Sequence, residues 1–462
     1  LYNQQKISLI SHDDKHFITL AKYYFSEKGV AQKILKLIAR PADHAFNIDE
    51  LYTQLRTNTD RIELNDDQIR SVITCLQHKM TVITGGPGTG KTTLIKQLLQ
   101  ILDTYKCSYK LAAPTGRAAK RMFEGTGRQA STIHRLLEFD VSTMGFARNE
   151  QNALQLDFLI VDEASMIDIF LAHALLRALP SHARIILIGD IDQLPSVGAG
   201  NFLHDIIASN TVPCIRLTHI FRQAQDSMII RNAHRINNGE FPTMDEDARK
   251  DFIFIKEQDA GNTAAHLENI FTNGLHKYGI AVADAIVLTP MNRGIVGTQQ
   301  INHHLQQIIN TTHTDQQITY GGIIFKLHDR VMQIRNNYDK LVFNGDIGTI
   351  DAINLHDKEL TVRFLDRPIE YDFSELDELT LAYAITIHKS QGSEYAAVIM
   401  PIFMQHYTLL QRNLLYTGIK STKKLCILIG QPKAIGMAIN NTKGLERVTF
   451  LQHYLTSDLQ CR

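Results

Sequence analysis

At 462 residues, with 44% hydrophobic and 21% charged residues, the chain has the balance of an ordinary globular protein but is too long for one core, so two or three domains are expected. Lys+Arg and Asp+Glu both number 48; the molecule is no polycation, and any nucleic-acid contact must use local basic patches. Five scattered cysteines without metal-ligand spacing predict a reducing, cytoplasmic setting, and no run of about eighteen apolar residues predicts a membrane-spanning helix. The first ten residues lack a signal-peptide pattern, and the start at Leu1 rather than Met is what a piece of a longer protein would show.

Residues 1–62 read as a polar helical segment with amphipathic turns such as Val30 to Ile38. In Leu64 to Val72, Asn65 or Asp66 can cap a helix that carries Gln68. The Gln68 amide offers a donor and an acceptor, matching the paired edge of adenine; the bland alternative is a solvated glutamine.

The stretch Thr84-Gly85-Gly86-Pro87-Gly88-Thr89-Gly90-Lys91-Thr92-Thr93 reads Gly-x4-Gly-Lys-Thr. It follows the apolar run Thr81-Val82-Ile83 and precedes leucines and isoleucines at helical spacing. A phosphate-binding loop must lie at such a strand-to-helix turn. Glycines let backbone N–H groups turn inward onto phosphate, and the helix start adds favourable charge. Lys91 is expected on the β- and γ-phosphates and the Thr92 hydroxyl on Mg²⁺.

A second strand, Tyr109 to Ala113, runs into Pro114-Thr115-Gly116-Arg117-Ala118-Ala119-Lys120-Arg121. Three cations at helix spacing form either a solvated face or a nucleic-acid backbone contact. Ser131-Thr132-Ile133-His134-Arg135 adds hydroxyl, imidazole and guanidinium donors. Residues 138–156 fit a hairpin or an ordered loop. Phe158-Leu159-Ile160-Val161 is a buried strand ending in Asp162-Glu163, at the strand end where ligands bind in open α/β sheets. Asp162 is the expected Mg²⁺ residue and Glu163 the group that polarises the attacking water. Ile185 to Ile188 ends in Gly189-Asp190-Ile191-Asp192-Gln193, with Gln193 the candidate γ-phosphate sensor; Arg222 is a surface arginine or an arginine finger.

A second α/β unit is expected from residue 226, interrupted over about 320–373 by short strands that predict a small all-β insertion. Within it, Asn344-Gly345 signals a turn, and Phe343 is either core or a base-stacking residue. The α/β pattern resumes at Leu381 to Glu394, where an apolar strand gives way to Thr386, His388, Lys389, Ser390 and Gln391.

In order and number these segments resemble the RecD-type superfamily 1 DNA helicases, from about Leu64 to the C-terminus. The motifs that carry the resemblance are the Gln68 segment, the phosphate-binding loop, Ala113-Pro114-Thr115-Gly116-Arg117-Ala118-Ala119 and Thr132-Ile133-His134-Arg135-Leu136-Leu137. Val161-Asp162-Glu163-Ala164-Ser165-Met166, Gly189-Asp190-x-Asp192-Gln193-Leu194-Pro195, Phe221-Arg222-Gln223, Asn344-Gly345-Asp346 and Thr386-x-His388-Lys389-Ser390-Gln391-Gly392 complete it. Residues 1–62 resemble the segment just before the motor in long members.

The resemblance implies an α/β fold of two RecA-like P-loop NTPase domains with parallel sheets and ATP between them. The domains would be 63–225, with a hairpin pin at about 138–156, and 226–319 with 374–462; residues 320–373 would form an SH3-like β-barrel. It implies ATP and Mg²⁺ as cofactors. Gln68, Gly86, Pro87, Gly88, Thr89, Gly90, Lys91, Thr92, Thr93, Gln193, Arg222, Gly392, Glu394 and Lys420 would hold nucleotide, and Thr92 and Asp162 the metal. Thr115, Arg117, Thr132, His134, Arg135, Phe343, Asn344, Thr386, His388 and Lys389 would lie along single-stranded DNA. The implied activity is 5′→3′ translocation with strand separation at duplex junctions, in repair or recombination, by a monomeric motor that can have other repair proteins as partners. The chain departs from the family's last motif, Thr-Arg-Ala, with Lys420-Ser421-Thr422. That departure keeps open an ATPase-impaired DNA-binding subunit, or a translocase that does not unwind.

Overall fold

Runs of apolar residues bounded by turn formers become parallel strands when helices cover both faces. The computed structural model describes residues 6–12, 14–41, 46–57, 64–219, 226–243, 251–311, 316–365, 367–442 and 447–460. It contains two compact units, Leu1–Phe221 with Leu445–Arg462, and Arg222–Gly444.

In the first unit six parallel strands lie in the order Cys214–Leu217, Met80–Gly85, Arg184–Gly189, Phe158–Val161, Tyr109–Ala113, Ala130–Thr132. Side chains alternate between the faces. Val82, Ala112, Leu159, Val161, Ile185 and Leu187 enter one core, and Ile83, Leu111, Phe158, Ile160, Ile186 and Ile188 the other. The strand order is not the chain order. It makes neighbours of the strands that end in the phosphate-loop motif, in Asp162-Glu163 and in Asp190–Gln193, so three distant motifs share one edge of the sheet.

Two features at the ends of this unit differ from the sequence expectation. Residues 1–62 are not wholly helical: Ile7–His12 and Lys15–Leu20 pair as an antiparallel hairpin, with Asp14 in the left-handed region at φ 57°, before the helix Ala21–Ile38 begins. Alternating apolar and polar residues suit the pleat, and Phe17 sets its ring edge on Phe450 at 5.0 Å. Residues 445–462, expected with the second domain, belong to the first. Leu451 and Leu455 join its core with Val30 and Ile34 of the first helix. Arg447 donates to the carbonyls of Gly198 at 2.7 Å, Gly200 at 2.9 Å and Ser196 at 2.7 Å.

This junction contains a buried acid. Glu27 accepts from the Phe450 amide at 3.2 Å. Burial pushes its carboxyl up to about 7; the charge of Asp205 adds to the rise and the Phe450 hydrogen bond opposes it. The folded unit therefore holds this proton more tightly than the unfolded chain, and stability is lost as pH rises through about 7. The melting temperature should fall by a few degrees between pH 5 and pH 8, and Glu27→Gln should flatten that slope, measured by calorimetry. Asp205 is the charged neighbour that acts on Glu27, and burial, Tyr24 and Glu27 raise the Tyr454 hydroxyl beside it.

The second unit has its own parallel sheet, in the order Phe252–Lys256, Thr422–Gly430, Tyr395–Ile402, Ala285–Thr289, Ala384–Thr386. Inserted in it is an antiparallel five-stranded sheet, Arg367–Asp372, Glu359–Phe364, Ile347–Asn354, Arg330–Gln333, Leu379–Leu381, with a separate hairpin of Gln317–Tyr320 and Ile323–Lys326. The insertion thus spans 317–381, wider than the expected 320–373, because its last strand follows a short helical turn that hides the alternation. Buried Asp329 fastens it to the second unit's sheet and helix. Its carboxylate accepts from Asn310 Nδ2 at 2.7 Å, Tyr383 Oη at 2.9 Å and the Lys326 amide at 2.7 Å. Among the described residues no helix is long and apolar enough to cross a membrane.

Candidate active site

The loop between the strand Met80–Gly85 and the helix Lys91–Thr104 is shaped by glycine. Gly88 and Gly90 take φ of 72° and 80°, a conformation that a Cβ would strain. Gly90 caps the helix without a side chain, so nothing of its own covers the first-turn amides, which no helix can satisfy internally. The Thr89 hydroxyl braces the loop by donating to the Gly86 carbonyl at 2.9 Å. Lys91 folds over the loop, its Nζ donating to the carbonyls of Gly85 at 2.6 Å and Gly86 at 2.8 Å. Thr92 is exposed at the helix start and Thr93 is half-buried.

Asp162 and Glu163, both buried, stand at the end of the Phe158–Val161 strand, two places along the sheet with Arg184–Gly189 between. Glu163 adopts φ 53°, a left-handed conformation that costs a non-glycine residue about 1–3 kcal/mol. Its amide donates to Asp162 Oδ1 at 2.9 Å. Burial raises the Asp162 pKa and the charge of Glu163 raises it further; Arg121, the Glu163 amide and Lys91 act in the other direction. Lys91 is thus close enough to act on Asp162, although 71 residues separate them in sequence. Gln193 Nε2 lies 3.5 Å from Glu163 Oε2, and the Thr84 hydroxyl accepts from the Ile191 amide at 3.2 Å, tying the third loop to the first.

The structure therefore brings together Lys91, Asp162, Glu163 and Gln193. It adds a residue that the sequence leaves as a surface or backbone-contact cation. Arg121 donates to Glu163 Oε1 and lies 3.9 Å from Asp162 Oδ2. The available signal is its place beside buried Met122 and three residues after buried Ala118, at the rim of the inward face of its helix.

Gln68 is fully buried. It completes a capping box with Asn65, the Gln68 amide donating to Asn65 Oδ1 at 2.8 Å and the Asn65 amide to Gln68 Oε1 at 3.2 Å. Its Nε2 donates to the Gly90 carbonyl at 3.4 Å. Gln68 thus braces the phosphate loop, with one donor and one acceptor position of the amide already engaged. Arg222 lies outside the described residues.

Of the residues expected along DNA, Thr115 caps the helix Gly116–Thr126, accepting from the Ala118 amide at 3.2 Å. Arg117 is half-buried beside it. Thr132 is buried and caps the next short helix, accepting from the Arg135 amide at 3.1 Å, so it orients its neighbours instead of offering a surface donor. Arg135 is exposed. His134 packs 5.7 Å from Phe139 and 5.6 Å from Phe146, which meet at 5.1 Å. Burial lowers its pKa. These rings seat a small hairpin of Phe139–Asp140 and Gly145–Phe146. Leu154 and Leu156 belong to the core, so the projecting part is shorter than the 138–156 expected. Each ring contact adds about 0.5–1.5 kcal/mol. Phe146→Ala should therefore raise amide hydrogen exchange across 139–146 by roughly three- to tenfold, read by mass spectrometry.

In the second unit Thr386 ends a strand, and half-buried His388 and Lys389 follow on the turn Ile387–Ser390; burial lowers both their pKa values. Phe343 is half-buried, 5.8 Å from the Tyr338 ring, and Asn344 is exposed. Gly392 is buried, Glu394 pairs with Lys423 at 3.4 Å, and half-buried Lys420 ends the helix Arg412–Lys420. Ser421 is buried and donates to the Thr417 carbonyl at 2.9 Å, with Ser390 Oγ 3.4 Å away. Its hydroxyl is spent within the unit.

Comparison with known proteins finds helicase families along the chain. Residues 68–199 match the family model described as AAA domain, 301–364 the ATP-dependent RecD-like DNA helicase SH3 domain, and 381–429 the UvrD-like helicase C-terminal domain. The chain is similar to the ATP-dependent RecD2 DNA helicase of Deinococcus radiodurans, 36% identical over 92% of this chain and 57% of that protein. It is similar to the RecBCD enzyme subunit RecD of Haemophilus influenzae, 27% identical over 90% of this chain and 77% of the subunit. The Mycobacterium tuberculosis RecD subunit gives 27% identity over 92% and 78%. The chain spans little more than half of the Deinococcus protein.

Proposed function

The chain belongs to the RecD-like helicase family, and we propose that it is an ATP-driven motor that moves 5′→3′ on single-stranded DNA and separates duplex at its hairpin, in repair or recombination. The observation that carries this reading is the meeting of Lys91, Asp162, Glu163 and Gln193 at one edge of the first sheet. This donor set fits a polyphosphate with a hard cation: an ammonium, first-turn amides, a carboxylate and a hydroxyl. Asp162 and Thr92 would hold Mg²⁺, which would supply neutralising charge at the phosphates. Lys91 exchanges its two carbonyl partners for phosphate oxygens. Glu163 takes the proton of the attacking water, and Gln193 orients it. Gly392, Glu394 and Lys420 are the candidate nucleotide contacts carried by the second unit. DNA runs over Thr115, Arg117, His134 and Arg135 in the first unit, and over Asn344, Thr386, His388 and Lys389 in the second, with Phe343 stacking on a base.

Separating one base-pair step costs about 1.4 kcal/mol in stacking, so unwinding must be coupled to hydrolysis. ATPase rate with and without single-stranded DNA, then unwinding of 5′- and 3′-tailed duplexes, tests the proposal. DNA-stimulated turnover with unwinding of the 5′-tailed duplex alone is expected. A second reading, an ATPase-impaired DNA-binding subunit, is favoured by one observation: Ser421 is buried and uncharged where the family carries an arginine. An arginine finger is worth roughly 10³- to 10⁵-fold. ATP binding with undetectable turnover on DNA would select that reading, and Arg222 is the cation on which turnover otherwise depends.

A further inference from the structure

The helix Gly116–Thr126 faces two ways. Its N-terminal end carries Thr115 and Arg117, two of the candidate DNA contacts, and its other cations divide. Lys120 turns outward to Glu124 at 3.5 Å. Arg121, one helical turn beyond Arg117, turns inward to the carboxylates at the end of the Phe158–Val161 strand. The pair is half wet and half dry: the Arg121 side chain is 28% exposed and that of Glu163 only 4%. With Arg121 on one oxygen and Gln193 lying against the other, each oxygen of the Glu163 carboxylate already faces a protein donor, and the ion pair with Arg121 competes with a water for it.

We propose that Arg121 is a positioning residue that latches Glu163 while no DNA is bound, and that a DNA strand seated on Thr115 and Arg117 shifts this helix and releases the carboxylate. The proposal rests on the motor reading above, for it assigns how DNA stimulates that same site. The helix Gly116–Thr126 is continuous from its Thr115 cap through Arg121, so a displacement at its N-terminal end reaches Arg121. Hydrogen bonding between a guanidinium fork and a carboxylate depends on orientation, so a small displacement suffices to break it.

A latch makes a prediction that a purely structural ion pair does not. If DNA binds only the open form, the latch lowers DNA affinity and basal hydrolysis by the same factor, because one closed-to-open equilibrium governs both. Coupling of this kind typically runs roughly 5- to 150-fold.

The experiment uses the full chain with Arg121→Gln and Arg121→Lys. ATPase rate is measured without DNA and at saturating oligothymidylate. Affinity for a fluorescent oligothymidylate is measured without nucleotide or metal. In Arg121→Gln, basal turnover should rise and the oligonucleotide Kd should fall, each on the order of tenfold, with the DNA-saturated rate unchanged. Arg121→Lys should lie between, since it keeps the charge without the fork. A weaker Kd in both variants would make Arg121 a backbone contact, and a lower rate with and without DNA would make it part of the chemistry; either overturns the latch. Wild-type protein that neither binds the oligonucleotide nor responds to it would instead sink the motor reading, and the latch with it.

Discussion

Glu163→Gln should leave nucleotide bound and stop turnover. The exchange keeps the size of the side chain and removes its capacity to take a proton. Glu163 is buried beside Asp162, with Gln193 at 3.5 Å and its backbone held at φ 53°. A strained residue persists where its surroundings over-determine it. The amide should therefore occupy the same place, and the fold should be undisturbed. Loss of a general base costs about 10²- to 10⁴-fold, so a fall of that size in kcat is expected on saturating single-stranded DNA. Nucleotide affinity, read with a fluorescent ATP analogue, should change by no more than a few fold. Near-normal turnover would remove Glu163 from the chemistry.

Lys91→Ala should abolish hydrolysis and weaken nucleotide binding together. Lys91 is the cation that joins the phosphate loop to the acidic strand end: its Nζ sits on the Gly85 and Gly86 carbonyls, and its charge favours the ionised form of Asp162. Without it the Asp162 pKa moves further up, because the opposing charge is gone while burial and Glu163 remain. Turnover should fall to background and ATP affinity by at least about tenfold, the effect of losing one charged contact of about 1.4 kcal/mol. Half-buried Lys91 is not a core residue, so the melting temperature should stay within a few degrees. A variant that binds ATP as wild type would place the phosphates elsewhere.

Those parts of the molecule whose chemistry is local are legible in the amino-acid sequence. A phosphate loop needs its glycines, lysine and threonine side by side, and a strand that ends in two acids can be recognised within six residues. Each of the three motif loops is therefore visible along the chain by itself. Their adjacency is not, because it depends on a strand order that skips along the chain. Elements whose pattern is short or general escape such a reading. The hairpin at Ile7–Leu20 has too few residues to outweigh the helical stretch after it. Leu451 and Leu455 carry nothing that says which core will take them. Gln68 illustrates a different limit: its amide suits an adenine contact, whereas the structure uses part of it to cap a helix and hold Gly90. For Arg121 the one signal is its place beside Met122 and three residues after Ala118, which becomes readable only once the inward face of that helix is known.

The return of residues 447–460 to the first unit matters for biosynthesis. Leu451 and Leu455 fill a gap in a core otherwise built from the N-terminal half of the chain, and Arg447 ties off the loop after Gln193. A nascent chain paused after Leu217 would have every strand of that sheet but an apolar trough still open. At about 5–20 residues per second, the missing helix leaves the ribosome roughly ten to fifty seconds later. Chaperones thus have a defined window, and a gene fragment cut between the units should yield a first unit that aggregates unless the terminal helix is spliced back on.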